Sequence, residues 1–241
     1  MIEVNALGKK YGDYIAVENV TFSAAKGDII GFLGPNGAGK TTTIRMLVTY
    51  LAPSAGSANI AGFNVVTQAD QVRRRIGYLP ETPPLYGEMT IREYLTFVAR
   101  IKGIPAGQIK SRVEMALEKC FITDVAGRLC QHLSRGYRQR AGLAQAIIHD
   151  PDVIVLDEPT SGLDPKQIIE IRNLIKSLSQ HHTVLLSTHI LPEVSMVCNK
   201  VVIVNRGRTV FENYLKDIQG RSLEQLFMEC VGKEHPLTEQ V

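Results

Sequence analysis

Cysteine is scarce in this sequence, and the placement of the few cysteines argues against two kinds of site. The 241 residues include 4 cysteines, Cys120, Cys130, Cys198 and Cys230, and no two of them are spaced as C-x-x-C. Such scattered cysteines fit neither a zinc site nor the disulfide framework of a small secreted domain. A reducing compartment, the cytosol, is therefore the expected location.

Long apolar runs are also missing. No run approaches the ~20 residues that a transmembrane helix needs, and the first residues, MIEVN, lack the basic region and apolar core of a secretory signal. We therefore expect no membrane-spanning segment in this sequence. Any role at a membrane is expected to depend on a partner that spans it.

A strong excess of positive charge is absent as well. Lysine and arginine (27) barely outnumber aspartate and glutamate (24), which leaves a formal net charge of +3. This excess is too small to indicate a nucleic-acid partner, because such binding rests on neutralising many phosphates. Hydrophobic residues make up 44% of the chain, enough for one large domain with a substantial core.

The sequence is organised around a glycine-rich phosphate-binding motif. An apolar run at 29–33 predicts a buried strand before it, and residues 43–48 predict the start of a helix after it, which is the context that the motif requires. Every fixed position of G-x-x-x-x-G-K-[ST] is matched by Gly34, Pro35, Asn36, Gly37, Ala38, Gly39, Lys40, Thr41 and Thr42. The alternative, a glycine-rich turn that happens to carry a lysine, does not explain the flanks.

The residue types in this motif indicate how it binds phosphate. Glycine lets backbone N–H groups approach an anion closely, and the helix N-terminus adds unpaired N–H groups and the positive end of the helix dipole. We expect Lys40 to reach the β- and γ-phosphates and the hydroxyl of Thr41 to bind Mg²⁺.

Two adjacent carboxylates follow a later apolar strand. Residues 153–156 are apolar and lead directly into Asp157 and Glu158. A parallel strand delivers its carboxyl-terminal residues to the ligand edge of the sheet. Asp157 is therefore expected at the Mg²⁺, and Glu158 is expected to orient or deprotonate the water that attacks the γ-phosphate. The alternative is a strand end capped by two solvated acids.

Tyr11 lies upstream of the phosphate motif, on a predicted loop between short strands at 2–4 and 15–17. An aromatic ring at such a place either stacks on a nucleotide base or packs beside a turn. The residues alone leave both interpretations open.

The order of the predicted elements indicates an α/β fold. Apolar strands at 153–156, 184–187 and 201–204 alternate with helices, which favours a mainly parallel sheet covered on both faces. The region 90–149 is instead predicted to be mostly helical, and it starts at a capping box formed by Thr90 and Glu93. A hairpin near Gly207 and an amphipathic helix at 222–231 are expected to follow the last of these strands.

A proline-rich loop connects the strand predicted at 76–79 to the helical region. Pro80, Pro83 and Pro84 prevent a regular helix here. The loop also carries apolar residues, among them Tyr86, that are expected to be exposed. Exposed apolar groups of this kind indicate a partner surface.

Five short motifs in a fixed order resemble those of the ATP-binding cassette (ABC) ATPases. Each motif alone is moderately specific, but the five in this order are highly specific. They are the phosphate motif, Leu-Ser-x-Gly at 133–136, Leu-Asp-Glu-Pro-Thr at 156–160, Ser-Gly-Leu-Asp at 161–164 and the histidine His189. The resemblance covers about residues 2–210.

The resemblance implies a single ABC ATPase domain over 1–241. Its fold would be a P-loop NTPase core with a mainly parallel sheet, an N-terminal antiparallel β subdomain and an inserted helical subdomain. The nucleotide-binding core is expected at 1–82 and 150–205, the helical subdomain with the signature motif at 83–149, and the C-terminal hairpin and helix at 206–241.

The resemblance also implies that two cassettes pair head to tail around ATP and Mg²⁺. Ser134 and Gly136 of one chain would touch the γ-phosphate bound to the other chain. Asp164 would communicate across the dimer. His189 would contact the γ-phosphate and hold Glu158 and the attacking water in place.

Four positions need comment beside this family pattern. Tyr11 matches the aromatic residue that stacks on adenine, and Glu81 stands where the family usually has a Mg²⁺-binding glutamine. A glutamate still ligates a hard cation, but it adds negative charge beside the phosphate. Arg135 and Tyr137 replace the third and fifth residues of the usual Leu-Ser-Gly-Gly-Gln signature. Arg135 either adds a cation near the phosphate of the other chain or points to solvent, and solvent is the expectation because charged side chains are usually exposed.

The variant motifs are similar to those of bacterial ABC-2-type exporters of the gliding-motility and multidrug type. We therefore expect the ATP-binding and ATP-hydrolysing subunit of an exporter, working as a homodimer or with a related cassette. It is expected to be cytoplasmic and held at the inner face of the membrane by separate transmembrane permease subunits, which dock at the loop that begins at Glu81. No nucleic-acid partner is expected.

Two other functions compete with this one. A soluble ABC ATPase that acts on a ribosomal or DNA partner generally carries two cassettes or a long coiled coil between its motifs, and Lys40 and Asp157 are too close in sequence for either. A regulatory cassette without activity is disfavoured by the intact Lys40, Asp157, Glu158 and His189.

Overall fold

The computed structural model describes residues 1–218 and 220–232. In this part of the chain ten strands form one sheet in the order β5-β4-β1-β2-β10-β9-β3-β8-β7-β6. The strands are β1 (Ile2–Tyr11), β2 (Tyr14–Ala24), β3 (Ile29–Leu33), β4 (Ala55–Ile60), β5 (Phe63–Asn64), β6 (Ile76–Leu79), β7 (Val153–Asp157), β8 (Thr183–Ser187), β9 (Lys200–Asn205) and β10 (Arg208–Tyr214). The helices are α1 (Lys40–Leu47), α2 (Ala69–Arg75), α3 (Ile91–Ile101), α4 (Ala106–Lys119), α5 (Arg135–Ile147), α6 (Pro165–Leu178), α7 (Leu191–Val197) and α8 (Leu223–Gly232).

The centre of the sheet is parallel, as the apolar runs predict. Strand β3 pairs with β8 and β9, and β7 pairs with β6 and β8, all in parallel. Every residue of β3, β7 and β8 is buried, because helices cover both faces of a parallel sheet. Ser187 is in register with both Phe32 and Asp157, so the segments that follow these strands meet at one edge.

The N-terminal part is antiparallel and differs in detail from the prediction. The sequence predicts short strands at 2–4 and 15–17, whereas the structure has the two long strands β1 and β2. Register shifts between Val4 and Leu7 and between Leu7 and Lys9 interrupt the alternation of buried and exposed residues. These irregularities hide the length of β1 from a reading of periodicity, since each extra residue moves the following side chains to the other face.

Three helices account for most of the region predicted to be helical. Helix α3 begins at the predicted capping box, where the hydroxyl of Thr90 accepts from the Glu93 amide and the Glu93 carboxylate accepts from the Thr90 amide. Apolar side chains of α3, α4 and α5 share one buried cluster, which includes Leu95, Leu117 and Leu143. The same cluster contains residues of β7 and β8, so the helical region packs directly on the sheet.

The C-terminal part confirms the predicted hairpin and helix. Strands β9 and β10 are antiparallel and are joined at Arg206 and Gly207, both with positive φ. Leu223 and Leu226 of α8 pack in a cluster with residues of β9 and α7. The remainder of this predicted segment, 233–241, lies outside the described residues.

Candidate active site

A cavity of about 620 Å³ lies at the carboxyl-terminal edge of the central strands. Its size is that of an ordinary small-molecule site. Its walls are formed by the motif residues Asn36, Gly37, Ala38, Gly39, Lys40, Thr41 and Thr42, together with Tyr11, Tyr14, Ala16, Arg45, Glu81, Glu158, Ser161 and His189. The fold therefore brings residues from five separate parts of the sequence to one place.

The phosphate motif has the backbone shape of an anion cradle. Gly37 and Gly39 have φ values of 78° and 95°, a conformation that favours glycine. A Cβ atom at Gly39 would lie 2.8 Å from the backbone oxygen of Ala16, whereas one at Gly37 would meet nothing within 4 Å. Gly39 is thus packed tightly against the backbone of β2, whereas the space beside Gly37 is open and leaves room for a ligand.

Helix α1 begins at Lys40, earlier than the predicted start at residue 43, so Lys40 and Thr41 occupy its first turn. The Lys40 side chain is buried, and its Nζ donates to the backbone oxygens of Gly34 (2.7 Å) and Pro35 (3.1 Å). Burial lowers the pKa of Lys40, and the negative charges of Glu158 and Asp157 oppose this shift. The ammonium group of Lys40 thus contacts neutral backbone oxygens in this structure. A bound phosphate would give it an anionic partner instead.

Glu158 and His189 form a pair at the edge of the cavity. The Nδ1 atom of His189 lies 3.0 Å from both carboxylate oxygens of Glu158. Glu158 has a φ of 49°, a strained value for a residue other than glycine, and its amide donates to the backbone oxygen of Ser187 at 2.9 Å. Backbone strain held in place by a hydrogen bond is common at active sites.

Asp157 occupies the end of β7 and is 4% exposed. Burial raises the pKa of its carboxyl group, and the negative charges of Glu158 and Glu81 raise it further, whereas Lys40 lowers it. A cation would relieve this concentration of negative charge. The oxygen donors of Thr41, Asp157 and Glu81 are of the kind that Mg²⁺ prefers, so the residues fit the ion. Within residues 1–218 and 220–232, no group of three or more histidine, cysteine or acidic side chains forms a metal site by itself.

The segment that carries His189 is anchored by a residue that the sequence analysis missed. The Thr188 hydroxyl accepts from the Ile190 amide and donates to Glu193 Oε2, both at 3.1 Å. Glu193 is 1% exposed, and its Oε1 lies 3.7 Å from Arg172 Nη2. The sequence feature that could have indicated this role is the position of Glu193, an acidic residue in the first turn of α7 and four residues after His189.

Tyr11 ends strand β1, although a loop was predicted there, and it lines the cavity. It pairs with Tyr14 across the turn between β1 and β2. Tyr11 is 45% exposed and Tyr14 is 65% exposed, so both rings present free surface at the rim. The sequence analysis did not place Tyr14, Ala16 or Arg45 at the site, because only the tertiary fold brings them to the phosphate motif. It named Ser161 as part of the Ser-Gly-Leu-Asp motif but did not expect it in the wall of this cavity.

Ser134 and Gly136 do not line this cavity. Ser134 caps helix α5, its hydroxyl accepting from the Tyr137 amide at 3.5 Å. Arg135 is exposed, as expected, but its guanidinium also donates from Nη2 to Ser161 Oγ at 3.1 Å. The hydroxyl of Tyr137 lies 3.1 Å from Asp124 Oδ2, within the helical region.

Glu81 lines the cavity and is also connected to the signature helix. The Gln139 side chain of α5 donates to the backbone oxygen of Glu81 at 3.1 Å. Beyond Glu81, the ring of Tyr86 packs against Tyr94 (centroids 6.0 Å apart) and Phe97 (5.5 Å) of α3. Tyr86 is nevertheless 55% exposed, in agreement with an apolar loop surface.

No helix in the described ranges is both long enough and apolar enough to cross a membrane.

Comparison with known proteins shows the family. A profile described as "ABC transporter" matches residues 17–161, more than half of the chain. A second profile, described as "AAA domain, putative AbiEii toxin, Type IV TA system", matches residues 127–196.

Several curated relatives match most of this chain. The ABC transporter ATP-binding protein NatA of Bacillus subtilis is 37% identical over 88% of this chain and 89% of its own length. The bacitracin transport ATP-binding protein BcrA of Bacillus licheniformis is 38% identical over 94% and 74%. The Nod factor export ATP-binding protein I of Ralstonia nicotianae is 37% identical over 98% and 74%.

Solved structures match the fold. The ATP binding subunit of an ABC transporter superposes with a TM-score of 0.87 at 30% identity, covering 95% of this chain and 99% of that one. A dimeric bacterial ABC transporter cassette superposes with a TM-score of 0.80 at 25% identity, covering 89% and 99%. With the motif geometry described above, these matches establish that the chain belongs to the ABC transporter family, as an ATP-binding subunit that hydrolyses ATP.

Proposed function

We propose that this chain is the ATPase subunit of an ABC-2-type exporter and that it works as a head-to-tail dimer. One observation carries the dimer. The phosphate motif, Glu81, Glu158 and His189 share one cavity, whereas Ser134 and Gly136 lie outside it. A cavity without a signature motif is half of a site, and a second copy or a related cassette supplies the other half.

ATP would bind with its phosphates in the cradle and its adenine against Tyr11. The motif residues from Asn36 to Thr42, which line the cavity, surround the phosphates with backbone N–H groups. Lys40 turns from the backbone oxygens of Gly34 and Pro35 to the β- and γ-phosphates. Ser134 and Gly136 of the second copy then reach the γ-phosphate, adding the N-terminal end of helix α5. ATP binding thus joins the two chains.

Hydrolysis would use the Glu158–His189 pair. Glu158 accepts a proton from the attacking water, and His189 holds the Glu158 carboxylate through Nδ1 and contacts the γ-phosphate through its other ring nitrogen. No covalent intermediate is needed, because phosphoryl transfer depends on positioning and on stabilising charge. Loss of the γ-phosphate removes the contact to the second chain and opens the dimer.

Mg²⁺ would be held by Thr41, Asp157 and Glu81 together with the phosphates. When bound, the ion neutralises charge that develops on the phosphate oxygens. The chain's own contribution is to present Thr41 and Glu81 at the cavity wall and to keep Asp157 buried at the end of β7, next to Glu158. Glu81 differs from the usual glutamine by adding a negative charge, which strengthens attraction to the ion and repulsion of the phosphate.

The membrane partners would dock on the loop that follows Glu81, whose exposed Tyr86 offers an apolar surface. Two of the relatives carry the words "transport" and "export" in their names, for bacitracin and for Nod factor. Those names favour an exporter. Separate permease subunits at the inner face of the membrane, and the lack of a nucleic-acid partner, are part of this proposal. The division into a core at 1–82 and 150–205, a helical subdomain at 83–149 and a C-terminal part at 206–241 is part of this proposal.

A dimerisation experiment tests the proposal. The Glu158→Gln chain, which should bind ATP without hydrolysing it, is examined by size-exclusion chromatography with light scattering, with and without ATP and Mg²⁺. We expect a monomer without ATP and a dimer with it. A Ser134→Ala change in the same chain should weaken the dimer, and a monomer at every ATP concentration would contradict the proposal.

A second experiment tests the membrane partner. The tagged chain is purified from detergent-solubilised membranes of its native cells, and the proteins that accompany it are identified. A membrane protein with several transmembrane helices is the expected companion, and a Tyr86→Asp chain should lose it. Ribosomal proteins as the main companions would support the competing function.

A further inference from the structure

Arg135 joins the signature motif to the wall of the chain's own nucleotide cavity. It is the first residue of α5, and it lies next to Ser134, which is offered to the second chain. Its Nη2 donates to the hydroxyl of Ser161 at 3.1 Å. Ser161 lines the cavity of the same chain, so a single side chain connects the two half-sites.

The turn after Ser161 is shaped around this guanidinium. Gly162 has a φ of 70°, and a Cβ atom built on it would lie 2.3 Å from both Cζ and Nη1 of Arg135. The guanidinium therefore occupies the space that a side chain at this position would need. The turn and the start of α5 are therefore in contact through this side chain.

A second contact holds the same two segments together. The side-chain oxygen of Gln167, on α6, lies 2.6 Å from the place where a Cβ atom of Gly136 would stand. Helix α6 is capped by Asp164, whose Oδ1 accepts from the Gln167 amide at 2.9 Å. The segment 161–167 and the signature segment 134–136 are thus packed at two points.

The guanidinium of Arg135 has an uncharged hydrogen-bond partner, Ser161. In the described part of the chain, Arg135 forms no ion pair with a carboxylate, unlike Arg140, which pairs with Glu170. Its charge is therefore not needed to neutralise a neighbour. The polar contact that it makes is to a neutral hydroxyl at the cavity wall.

We propose that Arg135 is a positioning residue that couples nucleotide in a chain's own cavity to the signature motif that this chain presents to its partner. This inference rests on the proposed head-to-tail dimer. A nucleotide that fixes Ser161 also fixes Arg135, and through it the orientation of Ser134 and the start of α5. Without the guanidinium, each chain would still bind ATP, but a higher ATP concentration would be needed to form the dimer.

The test measures ATP-driven dimerisation in the Glu158→Gln background. Adding Arg135→Ala should raise the ATP concentration at half-maximal dimer formation by roughly tenfold, in the range typical of coupling between sites. Nucleotide affinity at protein concentrations too low for dimers should stay unchanged. Arg135→Lys should restore part of the effect, because lysine donates to Ser161 but cannot cover Gly162. Arg138→Ala, on the same helix and bonded to the Gln131 backbone, is the matched control for loss of charge.

A cycle with Ser161→Ala separates coupling from direct binding to the partner's phosphate. If Arg135 acts through Ser161, the double change is no worse than Arg135→Ala alone; additive losses would overturn the proposal in favour of direct contact. Equal dimerisation by the chains with and without Arg135→Ala would also overturn it. A Glu158→Gln chain that never dimerises would overturn the proposed dimer as well, which distinguishes the two failures.

Discussion

The Nδ1 atom of His189 lies 3.0 Å from both carboxylate oxygens of Glu158. Nδ1 donates to the carboxylate, and a contact from Nε2 to the γ-phosphate then needs a proton on Nε2 as well, because a phosphate oxygen only accepts. The pair arises because β7 and β8 are neighbours in register, with Asp157 opposite Ser187. Residues 31 positions apart in sequence therefore act at one point.

Replacement of the general base should separate binding from turnover. Glu158→Gln keeps the shape of the side chain but removes its ability to accept a proton, so we expect ATP hydrolysis to fall by about 10²- to 10⁴-fold. Equilibrium binding of ATP should change little. Steady-state phosphate release and calorimetric titration measure the two quantities, and substantial remaining hydrolysis would count against this role of Glu158.

Glu81 should determine how the site depends on Mg²⁺. Glu81→Gln removes one negative charge beside the phosphates, so the Mg²⁺ concentration for half-maximal activity should rise while the affinity for ATP increases. Titrating Mg²⁺ at fixed ATP measures the change. Glu88→Gln, in the same exposed loop, is the matched control, and an unchanged rate and Mg²⁺ dependence in the Glu81→Gln chain would show that Glu81 is not at the ion.

Tyr11 should contribute affinity for the base. Tyr11→Ala removes a stacking surface, worth about 1–3 kcal/mol or roughly 5- to 150-fold in Kd, whereas Tyr11→Phe keeps the ring and should bind normally. A fluorescent ATP analogue in a binding titration measures both. The same pair of changes at Tyr14 compares the two rings, and a normal Kd for Tyr11→Ala would place the adenine elsewhere.

Glu193 should stabilise the segment that carries His189. Glu193→Ala removes the acceptor of the Thr188 hydroxyl and the carboxylate partner of the Arg172 guanidinium, at a cost of about 2–4 kcal/mol, or roughly 5–15 °C in Tm. Glu193→Gln keeps a hydrogen bond to Thr188 and should lose less. Thermal unfolding measures the stability. At a temperature where both variants are folded, kcat should fall more than the affinity for ATP, and an intact kcat in Glu193→Ala would mean that the segment is held by other contacts.

Stability should fall on acidification because of His149. Burial, and then the charge of Lys102, lower the pKa of His149 from 6.5 to about 4. Between these values the unfolded chain binds the proton and the folded chain does not, so the free energy of unfolding rises with pH over this range. The contribution lost from pH 6.5 to pH 4 is up to about 3 kcal/mol.

A comparison of urea unfolding at several pH values checks this prediction. His149→Gln should flatten the dependence between pH 4 and 6.5. Its amide can still donate to the backbone oxygen of Ile76, which His149 Nε2 contacts at 3.1 Å. His132→Gln, at an exposed position, is the control. An equally steep dependence in the His149 variant would assign it to other groups.

Local features were readable from the sequence alone. The phosphate motif, the capping box at Thr90, the cap at Ser134 and the acidic end of β7 each depend on residues within a few positions of one another. Backbone geometry over such short distances follows from residue type, because glycine, capping hydroxyls and apolar runs have strong local preferences. For the same reason the elements were predicted well, except where bulges disturbed the alternation in β1.

The relations between distant residues depended on the tertiary structure. Arg135 reaches Ser161, Gln139 reaches Glu81, and Arg172 approaches Glu193 only because neighbouring strands and helices bring them together. Long-range contacts of this kind leave no periodic pattern in the chain. The sequence by itself determined the glycine-rich motif at 34–42 and the strand and helix on either side of it, because these depend on neighbouring residues. Only the tertiary structure decided that Ser134 and Gly136 lie outside the cavity formed around this motif. The reason is that helix α5, which begins at these residues, packs with α3 and α4 of the helical region.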